Sequence, residues 1–173
     1  MRQLTPSELE VNAETMRHIL TLRTLMSAVS SHLIEKSFEH DLSKLDDPEL
    51  ELFTKFTPLL KTMKYNSDEY KDCMQQLKPA LDNHYSNNPH HPEHYIDGIT
   101  GMNLFDLIEM LCDWKAASLR SKDGNLYKSL AINENRFNIP EPLVKILRNT
   151  LPVIESFAAK TNISISYPNE TNR

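Results

Sequence analysis

Three features of the sequence predict an all-α fold, a single helical bundle over residues 1–160 followed by a polar tail over 161–173. Apolar residues recur at three- and four-residue spacing along most of the chain. A helix-start signal stands before most of those stretches. Only three glycines (Gly98, Gly101, Gly124) interrupt 173 residues, and a chain of this length carries one sizeable core.

The elements follow in order. Thr5-Pro6-Ser7-Glu8 is a helix start, with Thr5 as N-cap, Pro6 at N1 and Glu8 closing a capping box. From Leu9 through Met16, Leu20, Met26, Val29 and Leu33 the spacing predicts one long helix to about Lys36. Asp47-Pro48-Glu49 opens a second helix through Leu50, Phe53, Phe56 and Leu60, kinked or divided at Pro58. Ser67-Asp68-Glu69 opens a third through Leu77, disturbed at Pro79. Residues 86–101 read as a loop from Asn87-Asn88-Pro89, Pro92 and two glycines. Asn103 caps the most apolar helix, containing Leu104, Leu107, Ile108, Leu111, Cys112 and Trp114, which is expected to be central. After a turn at Asp123-Gly124-Asn125 come helices over roughly 126–136 and 142–159, the last bent at Pro152. The tail from Thr161 is polar, and its two glycosylation sequons at Asn162 and Asn169 are read as chance.

Composition narrows the function. With 19 Lys and Arg against 24 Asp and Glu the net charge is −5, so no basic stripe suits duplex nucleic acid. The scarcity of glycine excludes a dinucleotide-binding GxGxxG and a phosphate-cradling GxxxxGK loop. Two cysteines make neither a disulfide framework nor a zinc knuckle. No apolar run reaches membrane-spanning length and the N-terminus lacks the order of a signal peptide, so a cytoplasmic protein without membrane contact is expected.

Histidine is the unusual count. Seven occur, and His84, His90, His91 and His94 lie within eleven residues of a proline-stiffened stretch. His90-x-x-Glu93-His94 matches an inverted zincin motif, but Pro92 inside it opposes the helix that motif needs. His40-Asp41 pairs an imidazole with a carboxylate, a combination suited to a divalent metal, although for the dipeptide alone an exposed corner before the Asp47 cap is the commoner explanation. Asp106, Glu109 and Asp113 share one face of the apolar helix. Asp106 suits the helix dipole in the first turn. Asp113, between Cys112 and Trp114, requires pairing or a metal if buried. His18 and His32 lie fourteen residues apart, about 21 Å along one helix, so both cannot serve one site.

His18, His40-Asp41 and Asp113 together resemble the H…HD…D ligand order of the HD-domain metal-dependent phosphohydrolase superfamily, an all-helical family. His40-Asp41-Leu42-Ser43-Lys44 is similar to its HDxGK form, with Ser43 in place of glycine. The set His-Asp-x-Ser-Lys, His-His-Pro-Glu-His and Glu-Met-x-x-Asp-Trp resembles a branch found in phages and bacteria, over roughly residues 14–122. The resemblance implies a first metal held by His18, His40, Asp41 and Asp113. It places His84, His90 and His91 at the positions of second-metal ligands, although the gap from His84 to His90 is short for that pattern.

The chemistry implied is hydrolysis of a phosphate ester or anhydride in a small substrate, a nucleotide foremost. One or two divalent ions (Mn, Fe, Co, Ni, Zn or Mg) lower the pKa of bound water and screen the phosphate. Lys44 is expected to contact the phosphate or assist the leaving group, with Lys115 and Arg120 as further phosphate contacts. Glu93 or His94 is expected to orient the water, and Tyr85, Tyr95 or Trp114 to stack on a base. Two alternatives are an HD-type di-iron oxygenase and a non-catalytic nucleotide- or protein-binding module with a structural metal.

Overall fold

Residues 2–64, 67–120 and 124–161 are described by a computed structural model of the chain. Among them are six α-helices: α1 (Pro6–Glu39), α2 (Glu49–Leu60), α3 (Asp68–Asn87), α4 (Leu104–Ser118), α5 (Leu126–Arg136) and α6 (Glu141–Lys160). Three short 3₁₀ turns (Leu42–Leu45, Pro92–His94, Gly98–Gly101) join them, and no described residue is in a strand. The fold is all-α, as expected. The expected tail, its two sequons and Asp123 of the expected turn lie outside the described residues.

Two units make up the chain, residues 1–40 and residues 41–173. The first is α1. Its start is the anticipated one: the Thr5 side chain accepts from the Glu8 amide, and the Glu8 carboxylate accepts from the Thr5 amide, 2.8 Å away. The Arg2 guanidinium also bonds that carboxylate and, with the Thr5 contacts, holds its pKa down at about 2. The helix runs three residues past the expected end to Glu39, with His40 as C-cap, and buries none of its residues.

The second unit holds two apolar clusters. Phe56 of α2 packs with Cys73, Leu77 and Ala80 of α3. The larger cluster is built by α4, α5 and α6 around Met110, Leu111, Leu126, Leu130, Leu147 and Leu151. Leu107, Met110 and Leu111 bury one face of α4, while Leu104 and Ile108 stay exposed, so the most apolar helix of the sequence is amphipathic. Pro58, Pro79 and Pro152 all lie inside helices. A helix-interior proline costs about 3 kcal/mol. In α3 the buried Leu77, Ala80 and His84 lie on either side of Pro79, where a disturbance was expected, and the helix is continuous to Asn87.

Candidate metal centre

The centre starts at a left-handed residue. Asp41 has φ +60° and ψ 12°, a conformation that costs an L-residue energy but that aspartate tolerates better than most. This sharp turn begins the Leu42–Leu45 segment, in which Lys44 Nζ bonds Asp41 Oδ2 at 2.5 Å. Asn88, at the end of α3, ties the turn down by donating to Ser43 Oγ and to the His84 carbonyl, both at 2.8 Å.

His84 on α3 is buried, and its Nδ1 lies 2.9 Å from Oε2 of Glu49, a fully buried carboxylate in the first turn of α2. Asn83 Nδ2 donates to the other Glu49 oxygen at 2.8 Å. His90 is held the same way: buried in the loop after α3, it places Nδ1 3.1 Å from Glu109 Oε1 on α4. An ionised carboxylate only accepts, so in both rings Nδ1 carries the proton and Nε2 presents a lone pair. Those lone pairs converge on Asp41 Oδ1, which lies 3.5 Å from His84 Nε2 and 3.6 Å from His90 Nε2. His91 adds a third imidazole, its Nε2 2.8 Å from that of His84. With His84 Nε2 a lone pair, His91 Nε2 is the donor there, and ligation by His91 requires its proton to move to Nδ1.

One donor atom each from Asp41, His84, His90 and His91 lies within 4.8 Å of the others. Two imidazole nitrogens on an ion at ~2.1 Å and a right angle stand ~3 Å apart, so the set fits a single divalent ion with little movement. One carboxylate and three imidazoles suit a first-row transition metal better than magnesium. Both imidazoles with shifted pKa values favour the neutral, ligating form. Burial, reinforced by Lys44, lowers that of His84 against the pull of Asp41 and Glu49. Burial and the neighbouring His90 and His84 push His91 down to about 3.

The remaining expected residues separate into two groups. Asp113, half-buried on α4 one turn beyond Glu109, acts electrostatically on His91 and is not one of the four converging residues. His40 is the last residue of the first unit and is joined by a peptide bond to Asp41. His18 is corrected: it is exposed in the middle of α1, 22 residues from His40, about 33 Å along an unbroken helix. No single centre takes both.

Glu93, His94, Lys115 and Arg120 are not among the four converging residues. The Glu93 carboxylate accepts from Arg136 at 2.7 Å, which ties the loop to the end of α5. His94 is exposed, its Nδ1 2.7 Å from the Tyr85 carbonyl, a bond that fixes the loop. Lys115 Nζ bonds Glu155 at 2.7 Å and joins α4 to α6. Arg120 is exposed past the end of α4, seven residues beyond Asp113. Tyr95 donates its hydroxyl to Asp106 at 2.7 Å, and its pKa is raised to about 12, first by burial. Asp106 also accepts from the Asn103 amide, closing a capping box where the sequence suggested a helix-dipole residue. Trp114 packs against the larger core.

Glu49 and Asn88 were not singled out by sequence reasoning. An acid after Asp47-Pro48 reads as a helix-dipole residue, and no spacing rule links it to a histidine 35 positions on. Glu109 carried a usable signal, its register with Asp113 on one face of α4.

A family model described as "Family of unknown function (DUF5662)" matches residues 7–160. No curated protein and no solved structure matches the chain.

Proposed function

We propose that this chain, which belongs to the DUF5662 family, is a divalent-metal-dependent phosphohydrolase acting on a small phosphate ester or anhydride, a nucleotide foremost. The observation that carries the reading is the pair of carboxylate-held histidines. Glu49 on His84 and Glu109 on His90 aim two Nε2 lone pairs at the Asp41 carboxylate. Carboxylate–histidine pairs of this kind are how proteins orient and strengthen imidazole ligands. The resemblance to the HD superfamily supports the reaction class and assigns His40 and Asp113 as further ligands.

A divalent ion held by these residues supplies positive charge that acidifies water and polarises a phosphoryl oxygen. The chain's own residues do the rest. Glu49 and Glu109 fix the two rings and their tautomers. Asp41 directs one oxygen to the imidazoles and gives the other to Lys44. Lys44 keeps 40% of its side chain exposed, so its ammonium reaches a phosphoryl oxygen arriving from solvent and offsets charge on the leaving group.

The test is phosphate release from a panel of nucleotides and simple phosphomonoesters, with Mn²⁺, Co²⁺, Zn²⁺ and Mg²⁺ supplied in turn to chelator-treated protein. Turnover that requires a transition metal and is lost in Asp41→Asn is expected. Absence of release with every ion, together with less than about 0.2 ion bound per chain after reconstitution, removes the proposal.

A further inference from the structure

The three imidazoles of the centre are not held alike. Glu49 bonds Nδ1 of His84 and Glu109 bonds Nδ1 of His90, and a bond of that kind is what fixes the orientation of a ligating imidazole. His91 differs. Among the described residues its ring has one hydrogen bond, between its Nε2 and that of His84, while Asp113 and Asp41 act on it electrostatically. A bond between two nitrogens that both face an ion has to break when the ion binds, so it cannot be what aims the ring.

Rings surround it instead. The centroid of the His91 ring lies 4.3 Å from that of His90, 4.7 Å from His84 and 5.2 Å from Tyr85. Of these three only Tyr85 is outside the ligand set. Its ring meets His91 at an interplanar angle of 58°, a tilted contact of the kind aromatic rings favour. Tyr85 is itself fixed at several points. It follows His84 on the continuous helix α3. His94 Nδ1 donates to its carbonyl at 2.7 Å, and its hydroxyl lies beside Arg136, whose guanidinium bonds Glu93 at 2.7 Å. Glu93 and His94 are the second and third residues after His91. The short loop carrying His91 is therefore tied back to Tyr85 at its backbone and near its hydroxyl.

We propose that Tyr85 is the positioning residue for His91: its ring is the wall that aims the His91 lone pair at the centre, the part that Glu49 and Glu109 play for the other two imidazoles. The inference rests on the reading of Asp41, His84, His90 and His91 as a metal centre, and it is independent of the reaction proposed there.

Titration calorimetry of the full chain with Zn²⁺ tests it through a double-mutant cycle. Tyr85→Leu removes the ring and should raise the Zn²⁺ dissociation constant by about tenfold or more, the usual effect of losing a group that orients a ligand. In a His91→Ala background the same change should cost less than about twofold, the scatter expected when no interaction is left to lose. Tyr85→Phe keeps the ring and should lie within that same margin of the parent. Tyr85→Met takes the place of the leucine variant if that one fails to fold. The visible spectrum of the Co²⁺-loaded Tyr85→Leu chain should approach that of His91→Ala. A loss of equal size with and without the His91 imidazole overturns the inference, because Tyr85 would then be packing the loop as a whole. So does a Tyr85→Leu chain that binds Zn²⁺ as tightly as the parent. A wild-type chain that takes up no Zn²⁺ removes the metal centre and this inference together. Zn²⁺ uptake with the expected cycle but without phosphate release supports the inference and removes the reaction alone.

Discussion

Glu49 and His84 meet across 35 residues of sequence, a fully buried carboxylate 2.9 Å from a buried imidazole Nδ1. A buried carboxylate is expensive unless paired, and this one is bonded on both oxygens, by His84 and Asn83. The bond decides which His84 nitrogen presents a lone pair to Asp41, and therefore whether the ring is able to ligate.

Glu49→Gln should accordingly weaken metal binding by about 10- to 100-fold. The amide that replaces one oxygen donates to Nδ1 and drives the ring proton onto Nε2, where a ligand lone pair is needed. Titration calorimetry with Zn²⁺ or Mn²⁺ reads the effect, and an unchanged affinity would make the pair a packing feature alone.

Asp41→Asn should leave the metal-free protein as stable as the parent or slightly more so, because asparagine accepts a positive φ and removes a charge from a part-buried position. The stabilisation gained on adding metal should shrink by RT times the logarithm of the affinity lost. Thermal melts with chelator and with saturating Mn²⁺ separate the two effects. A metal-induced shift of full size in the variant would take Asp41 out of the centre.

Lys44→Ala should cut phosphate release by about 10²-fold while metal content stays level, since an ammonium stabilises developing negative charge and is repelled by a cation. Equal loss of bound metal and rate would instead mean that Lys44 serves to position Asp41.

Lys115→Met should have no effect on turnover and change stability by no more than about 1 kcal/mol, because its partner Glu155 is one-third exposed and solvent screens the pair. A large fall in rate at constant fold would return Lys115 to the substrate.

The α1 start should be acid-labile. Arg2, bonded to the Glu8 carboxyl, and the Thr5 hydrogen bonds lower its pKa from an ordinary 4.5 to about 2. A depressed carboxyl contributes stability that is fully present above its unfolded pKa and is lost as pH falls through the folded one. The capping box should therefore loosen between about pH 4.5 and 2. A Glu8 carboxyl titration followed by NMR checks this, with the midpoint rising toward 4.5 in Arg2→Ala. A wild-type midpoint already at 4.5 would show that the Arg2 bond is not maintained in solution.

The sequence by itself determined the all-α class, the Thr5–Glu8 capping box, Asn103 as a helix cap, the opening residues of the helices, and the loop that carries His90 and His91. All of these rest on interactions between residues a few positions apart, where spacing is geometry. It also picked out Asp41, His84, His90 and His91, because imidazole and carboxylate in such density are rare outside a site. Only tertiary structure decided which of the flagged residues meet. His18 falls away because α1 is one unbroken helix over 34 residues, a property of the whole segment rather than of the histidine itself. Glu93 and Lys115 are taken up by Arg136 and Glu155, partners 43 and 40 positions distant. Glu49 enters because packing of Phe56 against the Cys73, Leu77 and Ala80 face brings α2 and α3 together and carries its carboxylate to His84. Long-range pairing of this kind follows from how whole helix faces pack, and no local spacing of residues encodes it.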